Sequence, residues 1–267
     1  MTTLLAAVEY GGKWEVPPVN ELFEFPPFLF QDTIIAFNRV ALLTLLASAL
    51  ALGILYVGLG NPKLVPSKFQ AACEAIVEFI REQIAIQVIG ADGLRWVPLL
   101  ITIFMWVWMN NLFEIVPFIN FPPTSRIALP LFLAIIVYVL FIYLGVRTQG
   151  AGTYFKDSIF PPAAPKWLWP LIGPIEFIST FIIRPVTLTV RLFANMLAGH
   201  ILLTLLFITT QAFLVFVPLR PGLPVGLVSF AASPLMIGFE FVVGLLQAYI
   251  FTILTAVYIG SSLHPEH

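Results

Sequence analysis

The chain has 267 residues, of which 60% are hydrophobic and only 10% charged, with a formal net charge of −1. Long apolar runs of this kind place it among membrane proteins and exclude an ordinary soluble domain. The charge balance offers nothing to nucleic acid, and a single cysteine, Cys73, excludes internal disulfides and Cys-cluster metal sites.

Residues 1–31 are polar, acidic and Pro-rich, which predicts an extramembrane segment. They lack a basic n-region and a cleavage site of the signal-peptide kind. Asp32 is placed to cap a first span over 33–59, which Asn61-Pro62 ends. Over 68–89, Glu74, Glu78, Arg81 and Glu82 recur at helical spacing, with Ile76, Phe79, Ile80 and Ile84 on the other side. That pattern predicts an amphipathic helix lying on the membrane surface or against a partner. Two further spans are predicted over 94–118 and 127–147, joined by a tight loop at Phe121-Pro-Pro-Thr-Ser, and 148–166 reads as a polar linker.

The apolar stretch 167–217 is about twice the length one upright span needs. Hydropathy alone leaves two solutions, a pair of spans or one long inclined helix bent near Pro185. A Pro/Gly loop at 218–224 leads to a last apolar stretch, 225–263. With the N-terminus outside, the inner loops carry Lys63, Lys68, Arg81, Arg95, Arg147, Lys156 and Lys166, against Lys13, Arg126 and Arg220 outside. This arrangement satisfies the positive-inside rule.

Polar groups inside the last two stretches are few. On a helix over 184–202, Arg184, Thr187, Arg191 and Asn195 fall along one stripe, flanked by Ala194 and Ala198. A guanidinium at membrane depth costs roughly 2.5–3.5 kcal/mol on insertion scales and cannot be relieved by deprotonation. Small flanking residues let another helix approach the charge. The nearest acidic residues are Glu176, 15 before Arg191, and Glu240, 49 after it, so a carboxylate on another chain is the expected partner. The alternative is a structural counter-ion role toward Glu176 or Glu240. Arg184 also reads as a snorkelling arginine. His200 faces away from Arg191. With Glu240 it makes either a buried structural pair or a proton relay. Glu240 and Gln247 share a face, with Gly244 between them. Asn195 and Gln247 also read as groups that satisfy polar neighbours, and Glu114 as a residue at a wet helix end.

The run Arg191-Leu-Phe-Ala-Asn195-Met-Leu-Ala-Gly resembles the signature of subunit a of the rotary ATP synthase membrane sector. So does Leu246-Gln247-Ala-Tyr-Ile-Phe251, with Asn111-Leu-x-Glu114 before Pro117, and Pro174-Ile-Glu176, in support. The resemblance covers essentially the whole chain. It implies an all-α membrane protein of about five membrane helices plus an amphipathic surface helix, the last two forming a long, strongly tilted hairpin against a ring of c subunits. It implies a non-catalytic stator subunit with no cofactor and no metal. Its partners would be the c ring, b-type peripheral stalk subunits, the rest of the complex and the lipid bilayer. Protons would reach and leave the ring carboxylates through two offset half-channels. Arg191 would face the carboxylate. Asn195, His200, Glu240 and Gln247 would line the outer half-channel with Glu114 near its mouth. Glu176, Ser179 and Thr187 would line the inner one, and Arg184 would be auxiliary. The implied location is a bacterial plasma membrane, or else a mitochondrial inner membrane, with the N-terminus outside and the C-terminus in the cytoplasm.

Two departures from the family pattern stand out. Many relatives carry a carboxylate at the His200 position and a histidine at the Glu240 position; here the two are exchanged, which favours their being neighbours in space. Glu176 lies one residue further from Arg191 than the family spacing, a rotation of about 100° that a π-bulge between Ser179 and Pro185 would absorb. A self-contained secondary transporter or ion channel is the competing reading. It requires internal repeats and a carboxylate for Arg191 within the chain.

Overall fold

The computed structural model describes residues 38–60, 63, 65–117, 119–160, 165–216 and 222–263. The acidic N-terminal segment, Asp32, the Asn61-Pro62 break, the Pro161-Pro162 pair, Arg220 and the two C-terminal histidines lie outside these residues.

Every regular element among the described residues is helical, and five helices are long and apolar enough to cross a membrane. Helix α1, Arg39–Leu59, starts at Asn38, whose side chain accepts a hydrogen bond from the Ala41 amide at 3.0 Å. Asparagine suits this position because its short side chain satisfies an amide the first turn leaves unpaired. Most of α1 stays apolar and uncovered, with Leu45, Leu52 and Tyr56 all exposed. Its inner side, Leu43, Ala47 and Ala51, packs on α3 (Val97–Leu112). The Trp106 indole donates to Ser48 Oγ at 2.9 Å across that contact.

Helix α2, Lys68–Phe79, is N-capped by Ser67 and continues as π-helical turns through Ile89. It sits against the end of α1: Cys73 is buried, and a Cβ on Gly58 would meet its sulfur at 2.4 Å. Ile80 and Ile84 are fully buried, while Glu78 and Arg81 are exposed, so the expected two-sidedness exists. Phe79 departs from it, being 43% exposed with one side on Tyr249, ring centroids 5.8 Å apart.

A short 3₁₀ turn, Ala91–Trp96, leads into α3, with Pro98 in its first turn where a missing N–H costs nothing. The helix ends at Leu112, and residues 113–117 form turns. Asn120 then takes a left-handed φ of 40°, a conformation asparagine tolerates better than most residues. The loop that follows is not a surface loop. Phe121, Thr124 and Ser125 are 0–2% exposed, and the 3₁₀ turn Pro123–Ser125 packs against the long helix α6 described below.

Helix α4, Ala128–Gln149, ends at Gly150, whose φ of 83° reverses the chain. The segment expected to be a polar linker contains a helix, α5, Ala151–Ile159. Its Tyr154 is buried against α4, where a Cβ on Gly145 would lie 2.1 Å from the ring. Only a glycine leaves room for that approach.

Between the two solutions hydropathy left open, the chain takes the single helix. Helix α6 is continuous from Trp169 to Leu214, 46 residues or about 69 Å of rise. A π turn, Ser179–Ile183, interrupts its α geometry just before Pro185. Pro185 therefore sits at the start of an α-helical stretch, Arg184–Gln211, where its lack of an amide proton is tolerated. Helix α7, Leu223–Leu263, is 41 residues long and packs on α6, α3, α4 and the π turns after α2. Thr148 Oγ1 and Gln149 Nε2 both donate to the Ser262 carbonyl, at 3.0 and 3.1 Å, fastening the end of α4 to the end of α7.

Candidate functional site

Helix α6 presents two unlike faces. Leu188, Leu192, Met196, His200 and Leu203 are buried, so this face makes the contact with α7, α4 and the buried loop. The opposite face is open: Ile183, Val186, Thr187, Val190, Arg191, Ala194, Ala198 and Leu202 are all exposed. Arg191 lies in the middle of this open stripe, and His200, half a turn round the helix, is only 4% exposed on the other side. Arg184 and Asn195 stand half-buried at the edge of the stripe. Ala194 and Ala198 keep the ground beside Arg191 low. The ion pairs resolved among the described residues are Arg81–Glu82 and Arg95–Asp92, neither of which involves Arg191.

Arg184 is held differently. Its guanidinium carbon lies 5.5 Å from the centre of the Tyr258 ring on α7, within cation–π range. Its charge also reaches Tyr154 on α5. Burial pushes the Tyr154 phenol above its ordinary value, and a Ser158 hydrogen bond and the Arg184 charge pull the other way. The aromatic contact comes from Tyr258, a residue that hydropathy treats as neutral.

A second cluster of polar groups lies inside the bundle, where α3, the 113–127 loop, α6 and α7 meet. Glu114 and Glu240 are 1% and 3% exposed, and each has one carboxyl oxygen, Oε1 and Oε2 respectively, without a hydrogen-bond partner. The charge of Glu240 is felt at Glu114. The Glu240 carboxyl group lies directly on Gly199: a Cβ there would be 2.3–2.5 Å from its three carboxyl atoms. Glu240 therefore reaches the backbone next to His200, and the His200 ring stands edge-on to Phe121 at 5.4 Å. Asn111 ties the cluster together. Its Nδ2 donates to the Gly244 carbonyl at 3.1 Å and its Oδ1 accepts from Thr124 Oγ1 at 2.7 Å. Gly244 is again a close approach, since a Cβ there would sit 3.3 Å from that of Asn111. Gln247, one turn further along α7, is buried at 5%.

The structure thus sets Glu240 within reach of Glu114 and against Gly199, the residue before His200, and sets Arg191 on a different face. Thr187 is exposed and Glu176 and Ser179 are half-buried, all three toward the other end of α6. The π turn Ser179–Ile183 lies between Glu176 and Arg191, where the extra residue has to be taken up. Taking out one residue's rotation leaves Glu176 about 40° from Arg191 around the helix rather than about 60° to the other side. Thr124 and Arg39 were not singled out by the sequence. Thr124 sits in the Pro-rich tight loop that joins two predicted spans. Arg39 lies inside the predicted first span, 33–59; it donates to the Ile119 carbonyl at 2.5 Å and its charge is felt at His200. Among the described residues no group of histidine, cysteine and acidic side chains has the makings of a metal site.

Five apolar helices, one bearing an open-faced arginine and three enclosing a cluster with two buried carboxyl groups, define a multi-pass helical membrane protein. The family model for the ATP synthase A chain matches residues 41–260, and the chain belongs to that family. It is similar to ATP synthase subunit a of Frankia alni, 40% identical over 255 residues, covering 94% of this chain and 87% of that protein. It is 42% identical to the Rhodococcus erythropolis protein of the same name over 265 residues, covering 99% and 94%. The Gluconobacter oxydans protein of that name is 38% identical over 247 residues, covering 90% and 94%.

Proposed function

We propose that this chain is the proton-channel stator subunit of a bacterial F-type ATP synthase, set in the plasma membrane beside a rotating c ring. The observation that carries the reading is Arg191: a permanent cation on an open apolar face, with small residues beside it and no carboxylate in ion-pair range among the described residues. In an apolar surround such a charge needs a counter-charge from outside the chain. A membrane-embedded ring carboxylate supplies it. Arg191 attracts the deprotonated carboxylate, favours release of its proton and blocks a direct leak, because a guanidinium does not give up its own proton at working pH.

The two polar regions then serve the two half-channels. Glu114, Glu240, His200, Gln247 and Asn195 form the outer path, where buried carboxyl and imidazole groups pass protons inward. Glu176, Ser179 and Thr187 form the inner path. An α6 helix of about 69 Å in a hydrocarbon layer of about 30 Å must lie steeply inclined to stay in the membrane, as must α7. This hairpin follows the ring, with b-type stalk subunits holding the stator in place. The loop charges favour an N-terminus outside and a C-terminus in the cytoplasm. The driving force is about 2.3 kcal/mol per charge per 100 mV.

The test is ATP-driven proton pumping in inverted membrane vesicles carrying Arg191→Ala, with passive proton permeability measured alongside. Lost pumping in an assembled complex supports the reading. Normal pumping refutes it and returns Arg191 to the role of a structural cation.

A further inference from the structure

Arg184 and Arg191 lie seven residues apart on one helix, about 10 Å along its axis, and both carry permanent charge. Their surroundings differ. Arg191 is exposed on the open stripe, whereas Arg184 is half-buried at its edge, with its guanidinium over the Tyr258 ring at 5.5 Å. Tyr258 feels the charge of both arginines. It is fixed in turn by Phe141 of α4, ring centroids 5.8 Å apart, and Phe141 stands edge-on to Tyr138 at 5.2 Å. On the other side Tyr154 of α5 is wedged against Gly145, and Phe155 stacks on Phe181 of the π turn at 5.8 Å. Arg184 is the residue immediately after that turn. Tyr258 is thus the aromatic partner of Arg184, packed in turn on Phe141, with further aromatic pairs of α4, α5 and α6 around it. The described residues give Arg184 no carboxylate within ion-pair range.

A long flexible cation at the edge of an open face has two places to go: back against the π-face of an aromatic ring, or out over the stripe beside Arg191. The ring face carries the negative end of its quadrupole and holds the guanidinium inward. We propose that Tyr258 is a positioning residue that retains Arg184 against α7, so that Arg191 is the one cation presented to the ring carboxylates on this stretch of α6. Released, Arg184 becomes a second attractor on the carboxylate's path and delays its passage. This inference rests on the stator reading above.

Pumping by assembled complexes in inverted vesicles tests it, with copurification of the ring as the check on assembly. Tyr258→Leu keeps an apolar side chain but removes the π-face, and lowers pumping roughly two- to fivefold, the equivalent of one cation–π contact. Tyr258→Phe keeps the π-face and restores the wild-type rate. Adding Arg184→Gln to Tyr258→Leu recovers part of the lost rate, because the released cation is gone. Tyr258→Met serves the same comparison should the leucine variant not assemble. A phenylalanine variant as slow as the leucine one, a harmless leucine variant, or a double variant no faster than Tyr258→Leu each overturns the proposal. Arg191→Ala run in parallel separates the two ideas. If it pumps normally the stator reading has failed, whereas full loss there with a harmless Tyr258→Leu sinks only the role of Tyr258.

Discussion

The open face of α6 and the enclosed cluster between α3, α6 and α7 both carry ionisable groups through an apolar bundle, by opposite means. On the open face the charge is permanent, its neighbours are small, and nothing within the described chain completes it. In the cluster the carboxyl groups are buried and able to take up a proton, and glycines and a loop are arranged so that side chains close around them. A permanent cation can wait at a surface for a partner that comes and goes. On the proposed reading the cluster is a proton path, which has to be kept at fixed spacing, and it lies where packing is tight. Changes to the open face should therefore alter coupling while the fold survives, and changes to the cluster should alter both.

The largest effect falls on Arg191. Arg191→Lys keeps the charge but offers a compact, strongly hydrated ammonium that can lose its proton when desolvated. Pumping in inverted vesicles is expected to fall at least about tenfold, the equivalent of roughly 1.4 kcal/mol, with the complex still assembled. Pumping near the wild-type rate in this variant would show that charge alone suffices. Next comes Gly199→Val. Any Cβ there meets the Glu240 carboxyl group at 2.3–2.5 Å, so Glu240 must leave its position and the helices must part. Overpacking of this kind costs about 1–3 kcal/mol, and the yield of assembled complex and the pumping rate should fall together. Gly53→Ala is the matched control: nothing lies within 4 Å of its Cβ, and alanine favours the helix. Equal damage from both substitutions would mean that glycine flexibility, and not room for Glu240, is what matters at 199.

How far each region was legible in the sequence follows the same division. Arg191 stood out because hydropathy makes a lone arginine conspicuous, and helical spacing alone put His200 on the opposite side. A π-bulge is one way to absorb the one-residue excess before Arg191, and the helix has a π turn there, Ser179–Ile183. Hydropathy could not choose between two spans and one helix over 167–217, because an apolar run is equally apolar bent or straight; the family resemblance made that choice. The cluster was half legible. His200 and Glu240 read as polar groups in apolar runs, but Glu114 reads as a residue at a wet helix end, whereas the 113–127 loop buries it to 1% exposure. In the sequence that loop reads only as a tight connection between two spans, and tertiary packing buries Thr124 in it fully. Helix α5 was missed for a related reason. Its polar, glycine-bearing sequence looks like linker, and what buries it is the bare surface of Gly145 under Tyr154.

The cluster's chemistry can be separated from its packing by exchange. His200→Glu and Glu240→His, made singly, leave two acids or two imidazoles against the same wall and should each lower pumping several-fold. Made together they restore one acid and one base in the order found in many relatives, and pumping should recover to well above either single variant. This is the behaviour expected of groups that act as a unit, whose losses do not add. A double variant as poor as the worse single one would show that the two residues are not partners, despite the contact between Glu240 and Gly199.

The smallest effects come from the polar clamp. Asn111→Leu removes both of its hydrogen bonds and leaves the Thr124 hydroxyl buried without its acceptor. The cost is about 1–3 kcal/mol for the orphaned group, read as a lower dissociation temperature of the purified complex. Thr124→Val removes one hydroxyl from a fully buried position and frees only Asn111 Oδ1. The expected loss is about 1 kcal/mol, because valine fills nearly the same space. What makes the pair informative is direction. If the clamp merely adds stability, both variants lower the dissociation temperature and pumping by assembled complexes is unchanged. If it sets the spacing between the loop and α7 around Glu114 and Glu240, pumping falls in Thr124→Val even at temperatures where the complex is intact. The second outcome is the expected one, since the Gly244 carbonyl that Asn111 grips lies one helical turn from Glu240.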